Sequence, residues 1–417
     1  MLVILLSVTG CAQSSAFANK HKWINPSNWF GDSTANIDAS QSPDISHIKG
    51  PLTPPEAAPR EPVDKAPLPQ GALVPPAPLK AKVAILLPLT GKNADLGQAM
   101  LNAAQQAVFD SASNNFELMP RDTGEGEKGA EAAARDAIAS GAQLLIGPLF
   151  ATSIPAVRAV AQKANINMLT LSTDTSLAGP GVFVMGFAPG AQVSRIISYA
   201  ATHGLKHFAA LIPNTAYGSL VRQVFEKTVT QYGGTIVTIE TFDPARRDSL
   251  AHIKVLATRA ERFNALFLPE GGSDLTTVAS QLSGNGIDSK KIRLLGTGLW
   301  DVEGLGKQSS YLASGWYAAS DPSARQSFVR TYNSTYSQEP PRLATLAYDA
   351  TALAAVLAKR GASFDVAELT NPNGFAGLDG IFRLTPQGLV ERGLAVIEVT
   401  PDGARVIDPA PTTFAAN

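Results

Sequence analysis

The sequence contains little of what metal centres, redox sites and nucleic-acid-binding surfaces require. Among its 417 residues there is one cysteine, which excludes an internal disulfide and a metal cluster held by several cysteines. The formal net charge is −1, so there is no excess of basic residues to neutralise a phosphate backbone. After the first ten residues, no apolar run approaches the roughly 20 residues that cross a bilayer. We expect a soluble body without a metal ion, a cofactor or a nucleic-acid partner.

Catalytic motifs are also missing. The sequence has no G-x-S-x-G nucleophile turn, no H-E-x-x-H zinc pair and no G-x-x-x-x-G-K-[ST] phosphate loop. His203 and His207 are four residues apart, but Gly204 between them is typical of a helix end, so their rings need not share a face. The sequence therefore predicts a protein that is not an enzyme.

The single cysteine, Cys11, follows the apolar run 2–6 and the small residue Gly10. This arrangement resembles the lipobox of bacterial lipoproteins. The resemblance implies that residues 1–10 are a signal peptide and that Cys11 carries a lipid that tethers the protein to a membrane. Ala12 then favours the periplasmic face of the outer membrane over the inner membrane. A buried cysteine is the alternative. No Lys or Arg precedes the apolar run, so we expect the true start to lie upstream.

A proline-rich segment follows the cysteine. Residues 11–80 show no sustained helical or strand period, and residues 51–80 contain ten prolines. Proline fixes the backbone torsion φ and removes a hydrogen-bond donor, so this segment favours an extended polyproline II conformation. At about 3.1 Å per residue, thirty such residues span roughly 90 Å. The segment is expected to be a spacer between a lipid anchor and a folded body; the alternative is a passive tail.

From residue 81 onward, short apolar runs alternate with amphipathic segments. Strands are predicted at 83–87, 116–120, 143–146, 166–171, 208–212, 235–240, 265–268 and 292–295. Because helical segments separate them, we expect an α/β fold with mostly parallel sheets. An apolar strand that ends in proline and precedes a glycine-started helix occurs twice, at Pro88 with Gly97 and at Pro213 with Gly218. This weak internal repeat predicts two similar, doubly wound lobes.

Five motifs resemble those of a known family. The segments KVAILLPLTG (82–91), LIGP (145–148) and NTAYG (214–218) are similar to strand-end loops of type I periplasmic binding proteins of the leucine/isoleucine/valine-binding class. The segments LGTGLWD (295–301) and GFAGLDGIFR (374–383) are similar to lipoproteins known as penicillin-binding protein activators, which carry the same fold.

This resemblance covers roughly residues 80 to 400 and implies two lobes joined by a hinge of three segments. The implied parts are a lipid-anchored linker (11–80), a first lobe (81–188 and 317–380), a second lobe (189–316 and 381–402) and a C-terminal tail (403–417). The crossings between the lobes are expected near 186–192, near 315–319 and just before Ile381. The closing strands, 381–384 and 394–399, are expected in the second lobe.

In this family the ligand lies in the cleft between the lobes, beyond the carboxyl ends of the strands. In the first lobe, the residues expected to line this cleft are Thr90, Thr152, Ser153, Ser172 and Thr173. The resemblance implies that the last four hold the carboxylate of an amino acid. The alternative is helix capping, which favours Ser and Thr without any ligand.

Four further residues are expected across the cleft. The ring of Tyr217 would cover a ligand, and Glu270 would receive an ammonium group, although an ordinary solvated carboxylate is the alternative for Glu270. Trp300 is expected to line the cleft or to pack at the hinge, as is the next residue, Asp301. Phe150, in the first lobe, is bulky where a solute would need room, which predicts a narrow or unoccupied cleft.

Two hypotheses about function follow. The first is a non-catalytic periplasmic lipoprotein that resembles penicillin-binding protein activators and regulates peptidoglycan synthesis by contacting a synthase. The long spacer, the activator-like motifs and Phe150 favour it. The alternative is the receptor of an ABC importer for a branched-chain or related amino acid, whose lobes close on a small amino-acid-like ligand.

Overall fold

The structure is a computed structural model that describes residues 80–361 and 363–414. The predicted signal peptide, Cys11 and the proline-rich spacer lie outside these residues. The described part forms two lobes, each built on a mainly parallel sheet that is covered by helices.

The first lobe begins with five parallel strands in the order β2-β1-β3-β4-β5. They are β1 (Ala81–Leu87), β2 (Phe116–Asp122), β3 (Leu144–Ile146), β4 (Asn167–Thr170) and β5 (Val182–Val184). The helices between them are α1 (Ala94–Ser111), α2 (Glu127–Ala139) and α3 (Ile154–Lys163), with 3-10 turns at Ala151–Ser153 and Thr175–Leu177.

Strand β1 shows why this sheet is buried on both faces. Alternate side chains of a strand point to opposite faces. Val83, Ile85 and Leu87 therefore enter one apolar core, and Ala84 and Leu86 enter the core on the other side. A continuous apolar run of this kind is typical of a parallel strand that helices cover on both faces.

The second lobe follows with the same strand and helix alternation. Its strands are β6 (His207–Pro213), β7 (Thr235–Phe242), β8 (Ala265–Phe267), β9 (Arg293–Gly296) and β10 (Trp316–Ala319). Its helices are α4 (Pro189–Thr202), α5 (Ala216–Gln231), α6 (Ser249–Ala257), α7 (Gly272–Gly284) and α8 (Leu305–Gln308), with 3-10 turns at Ala260–Arg262, Gly298–Trp300 and Ser310–Leu312.

The chain then returns to the first lobe and finally to the second. Helices α9 (Pro322–Tyr336), α10 (Ala344–Lys359) and α11 (Val366–Leu369) precede a small antiparallel sheet of β11 (Phe375–Gly377), β12 (Gly380–Leu384) and β13 (Val390–Arg392). Strands β14 (Ala395–Thr400) and β15 (Gly403–Asp408) complete the second sheet, whose described order is β15-β14-β10-β9-β8-β6-β7.

The internal repeat in the sequence has a packing cause. A Cβ atom at Gly97 would lie 2.0 Å from the Pro88 carbonyl oxygen, and one at Gly218 would lie 1.8 Å from the Pro213 carbonyl oxygen. Both glycines therefore allow a helix to start directly against the end of the preceding strand. The two lobes open with the same strand-to-helix junction, as the repeat predicted.

Two predicted crossings are in the wrong place. The segment predicted to cross at 315–319 contains β10, a strand of the second lobe that pairs with β9 and β14. The apolar residues of β10 are buried because the strand lies inside the second sheet, between β9 and β14. The chain crosses after it, at residues 320–321, whereas the first crossing occupies residues 185–188.

The third crossing also lies later than predicted. Strand β12, which was expected in the second lobe, buries Phe382 and Leu384 in the first-lobe core. The hairpin that it forms with β13 is attached to β5, because the Val184 N–H donates a 2.8 Å hydrogen bond to the Gly388 carbonyl. The chain therefore crosses at residues 393–394. The predicted tail contains β15, which pairs antiparallel with β14.

Candidate functional site

The predicted site residues lie on loops at the carboxyl ends of the strands. We call the loops 88–92, 122–126, 147–153 and 171–174 the first-lobe wall, and the loops 213–217, 268–272 and 297–303 the second-lobe wall. In open α/β sheets such strand ends are where ligands bind. The two walls differ in how their polar groups are used.

Thr90, in the first-lobe wall, is bonded to Asp122. The Thr90 hydroxyl donates to Asp122 Oδ2 at 2.6 Å, and the Leu89 and Gly124 N–H groups both donate to Asp122 Oδ1 at 2.8 Å. Burial acts to raise the pKa of Asp122, but these hydrogen bonds outweigh it and lower the pKa below its ordinary value. The Thr90 hydroxyl proton is therefore donated within the first-lobe wall and is not available to a ligand carboxylate.

The four other predicted site residues of the first-lobe wall lie after the neighbouring strands β3 and β4. Thr152 and Thr173 are exposed. Ser172 is buried, and its oxygen accepts a 3.1 Å hydrogen bond from the Asp174 N–H. Ser153 is buried at the start of α3 without accepting a capping hydrogen bond. The capping explanation thus fails for Ser153.

Phe150 is part of the first-lobe wall and packs against the first-lobe core. It is half-buried there, as are Leu89 and Phe187. Leu89 and Phe150 therefore pack the first-lobe wall against its core, next to the first crossing, which contains Phe187.

Tyr217 and Thr297 are hydrogen-bonded to each other in the second-lobe wall. Tyr217 is half-buried at the start of α5, and its hydroxyl lies 2.9 Å from the hydroxyl of Thr297, directly after β9. Burial, opposed by this hydrogen bond and aided by the charge of Glu270, raises the pKa of Tyr217 to about 12. Thr297 was not among the predicted site residues, although it belongs to the LGTGLWD motif.

Glu270 is the acidic residue of the second-lobe wall. It is half-buried after β8, and burial together with the charge of Asp274 raises its pKa to about 7, against the opposing hydrogen bond from the Gly271 N–H. Within residues 80–361 and 363–414, Glu270 forms no ion pair. The exposed Leu299 lies against the neighbouring glycine, since a Cβ atom at Gly271 would be 3.0 Å from Leu299 Cβ. An acidic group and an apolar surface are therefore adjacent.

Trp300 does not line the cleft. It is only 1% exposed and lies in the second-lobe core beside Tyr317, with ring centroids 6.4 Å apart. Gly296 makes room for it, because a Cβ atom there would lie 2.2 Å from the indole ring. The prediction that Trp300 binds a ligand was wrong, since its side chain fills the core.

The next residue, Asp301, forms two ion pairs whose partners were not predicted. Its carboxylate pairs with Arg325 at 3.0 Å and with Arg342 at 3.5 Å, and both arginines belong to the first lobe. No sequence spacing indicates such pairs, because the partners come from separate elements.

Comparison with known proteins agrees with this architecture. The sequence profile of a family described as periplasmic binding proteins matches residues 80–404. The chain belongs to the periplasmic binding protein family. An uncharacterized protein of Rickettsia prowazekii is 24% identical over 230 residues, a match that covers 53% of this chain and 61% of that protein. The chain thus spans about three fifths of the length of this curated relative.

Solved structures share the type I fold of this family. A protein of Rhodospirillum rubrum, described as a branched-chain amino acid ABC transporter, superposes with a TM-score of 0.71 at 19% identity over 79% of this chain and 100% of its own. A leucine binding protein of Thermotoga maritima gives a TM-score of 0.57 at 21% identity over 78% and 97%. At such identities the likeness establishes the two-lobed fold.

The described residues contain neither a membrane-spanning helix nor a cluster of metal-ligating side chains. No helix there has the length and apolar character needed to span a bilayer. No group of three or more His, Cys, Asp or Glu side chains in the same residues has an arrangement suited to a metal ion.

Proposed function

We propose that this periplasmic binding protein is the receptor of an ABC importer and binds a small amino-acid-like solute between its lobes. The observation that supports the proposal most is Glu270, a half-buried carboxylate without a cationic partner in the described residues. A carboxylate in this setting loses hydration and gains no ion pair. The ammonium group of a ligand would supply the missing charge.

The surroundings of Glu270 suit the rest of such a ligand. Leu299 and Val302 are exposed apolar residues of the second-lobe wall and would contact an aliphatic side chain. Tyr217 would cover the ligand from the same wall, with its hydroxyl held by Thr297.

The first-lobe wall would receive the carboxylate of the ligand. Thr152 and Thr173 are exposed after adjacent strands, and Ser153 and Ser172 lie beside them. Hydroxyl groups and the amino terminus of α3 are suited to an anion. Closure of the lobes about the hinge would then bring the ammonium-binding and carboxylate-binding walls together.

Calorimetry with matched ligand pairs tests this proposal. Each pair contains an α-amino acid with an aliphatic side chain and the carboxylic acid that differs only in lacking the amino group. We expect the amino acid to bind at least roughly tenfold more tightly, because only it offers a charge to Glu270. Equal affinity within every pair, or no binding at all, would refute the proposal.

The second hypothesis is a lipid-anchored regulator of a peptidoglycan synthase at the outer membrane. The motifs at residues 295–301 and 374–383 motivate it, but the family match and the solved structures support only the fold that it shares with importer receptors. Pull-down of bifunctional penicillin-binding proteins is its test, and unchanged polymerase and transpeptidase rates would exclude it. Mass spectrometry of the mature protein would show whether Cys11 carries a lipid.

A further inference from the structure

A cluster of acidic and arginine side chains lies beside the hinge. It consists of Asp301, Arg325, Arg342, Asp349, Asp379 and Arg392, and we call it the hinge cluster. Asp301 is its second-lobe member, and the other five residues belong to the first lobe. The carboxylate of Asp301 is 13% exposed and pairs with both Arg325 and Arg342.

Contacts other than the ion pair with Asp301 hold Arg342 in position. Its guanidinium group pairs with the buried Asp379 at 2.8 Å, and Asp379 also accepts a 2.6 Å hydrogen bond from the Thr345 hydroxyl. The guanidinium carbon lies 4.2 Å from the ring centroid of Phe187, which stands in the first crossing. These contacts are all independent of the second lobe, so Arg342 is a fixed partner for a residue that arrives from across the cleft.

Arg392 links the same cluster to the first and third crossings. It ends β13, just before the third crossing, and its side chain is almost fully buried against Asp349 at 3.3 Å. Its guanidinium group donates a 2.9 Å hydrogen bond to the carbonyl of Met185 in the first crossing. It also lies 5.5 Å from the ring centroid of Phe187. The hinge segments are therefore fastened to the first lobe.

If the lobes moved apart, some ion pairs of the hinge cluster would be kept and others would be broken. Arg342 would keep Asp379, and Arg392 would keep Asp349, because these pairs lie within the first lobe. Asp301 would lose both of its arginines. A mostly buried carboxylate that loses its partners is unfavourable unless water reaches it.

We propose that Asp301 is a latch that stabilises the lobe arrangement seen here, through its ion pairs to Arg325 and Arg342. The latch requires no ligand, because its ion pairs join side chains of the two lobes directly. In the absence of ligand, the latch shifts the equilibrium between separated and approached lobes towards the approached arrangement.

Distance measurements between the lobes test the latch. One spin label or dye is placed on each lobe, through Lys92→Cys and Ser219→Cys in a Cys11→Ser background, since both positions are exposed beyond strand ends. In the absence of ligand, Asp301→Asn is expected to shift the ratio of approached to separated lobes by roughly fivefold towards separation. The matched control is Asp402→Asn, an exposed second-lobe position in the turn between β14 and β15, which should leave the distribution unchanged.

A substitution at Arg325, the first-lobe partner of Asp301, tests the latch independently. Arg325→Gln should shift the distribution in the same direction and by less, because Arg342 still pairs with Asp301. If Asp301→Asn fails to fold, Arg325→Gln decides the question. A distance distribution that matches the labelled background in either folded variant would overturn the proposal.

Discussion

The two walls of the cleft each carry an acidic residue at the end of a parallel strand, and the two residues have opposite environments. Asp122, in the first-lobe wall, accepts hydrogen bonds from Leu89, Thr90 and Gly124, and its pKa is lowered. Glu270, in the second-lobe wall, has one opposing backbone N–H and a pKa raised to about 7. The comparison shows that local hydrogen-bond donors decide whether a strand-end carboxylate is stabilised in its charged form.

Removing the charge of Glu270 should have the largest effect on binding. The loss of one partner from a desolvated ion pair costs a few kcal/mol, and for this half-buried group we expect about 2 kcal/mol, or roughly 30-fold weaker binding of the amino acid in Glu270→Gln. Calorimetry measures the change. The control Glu261→Gln alters a carboxylate that is 91% exposed and should retain the wild-type affinity. Unchanged affinity in Glu270→Gln would mean that the second-lobe wall does not recognise the amine.

The corresponding change in the first-lobe wall should act on stability. Asp122→Ala removes the acceptor of four hydrogen bonds, and we expect the free energy of unfolding to fall by about 1–2 kcal/mol. The residue is exposed, which limits the loss. Asp122→Asn keeps one acceptor oxygen and should lose less. Denaturant unfolding compares the two variants, and equal losses would show that the hydrogen bonds are not what the wall depends on.

The two acids should also give opposite pH dependence. The pKa of Glu270 is about 7 in the folded protein and 4.5 for the unperturbed side chain. Its ionisation therefore lowers the stability of the folded protein as pH rises from 4.5 to about 7. Glu270→Gln should therefore melt roughly 2 °C higher than wild type at pH 8 and at the same temperature near pH 4. Asp122, with a lowered pKa, stabilises above its reference value of 3.8 and loses that contribution as pH falls below it. A Glu270→Gln difference that is constant with pH would contradict this account.

The smallest effect should come from Tyr217. Tyr217→Phe keeps the ring that would cover a ligand but leaves the Thr297 hydroxyl without this partner. We expect a loss of about 1 kcal/mol in stability and less than threefold in affinity. Tyr232→Phe, at an exposed tyrosine, is the control and should change neither quantity. A large loss of affinity in Tyr217→Phe would place the hydroxyl, and not the ring, against the ligand.

Local patterns in the sequence predicted much of the fold. The runs predicted as strands at 83–87 and 208–212 lie within β1 (Ala81–Leu87) and β6 (His207–Pro213). Helix α4 was not predicted, because Pro189 and Gly190 resemble a linker. In the structure they occupy the first helical turn, where proline is tolerated.

Features that depend on tertiary contacts could not be predicted. Strand β12 has the same alternation whichever lobe it joins, and only its packing around Phe382 assigns it to the first lobe. Trp300 was predicted as a cleft residue from its position after a strand. Its ring instead fills the space that the missing side chain of Gly296 leaves, and this contact cannot be predicted from local sequence. Arg342 reaches Asp301 from another lobe. Glu270 was predicted as a cleft residue because its position after a strand is a property of the sequence. That none of the residues 80–361 and 363–414 forms an ion pair with it is a property of the fold.

Proton release on binding tests the central claim most directly. If an ammonium group pairs with Glu270, the carboxyl must give up the proton that it partly holds near pH 6.5, since its pKa is about 7. Calorimetry of amino-acid binding at pH 6.5 in two buffers of different ionisation enthalpy should therefore show roughly three quarters of a proton released by the wild type and none by Glu270→Gln. Binding with equal proton release in both proteins would contradict the account.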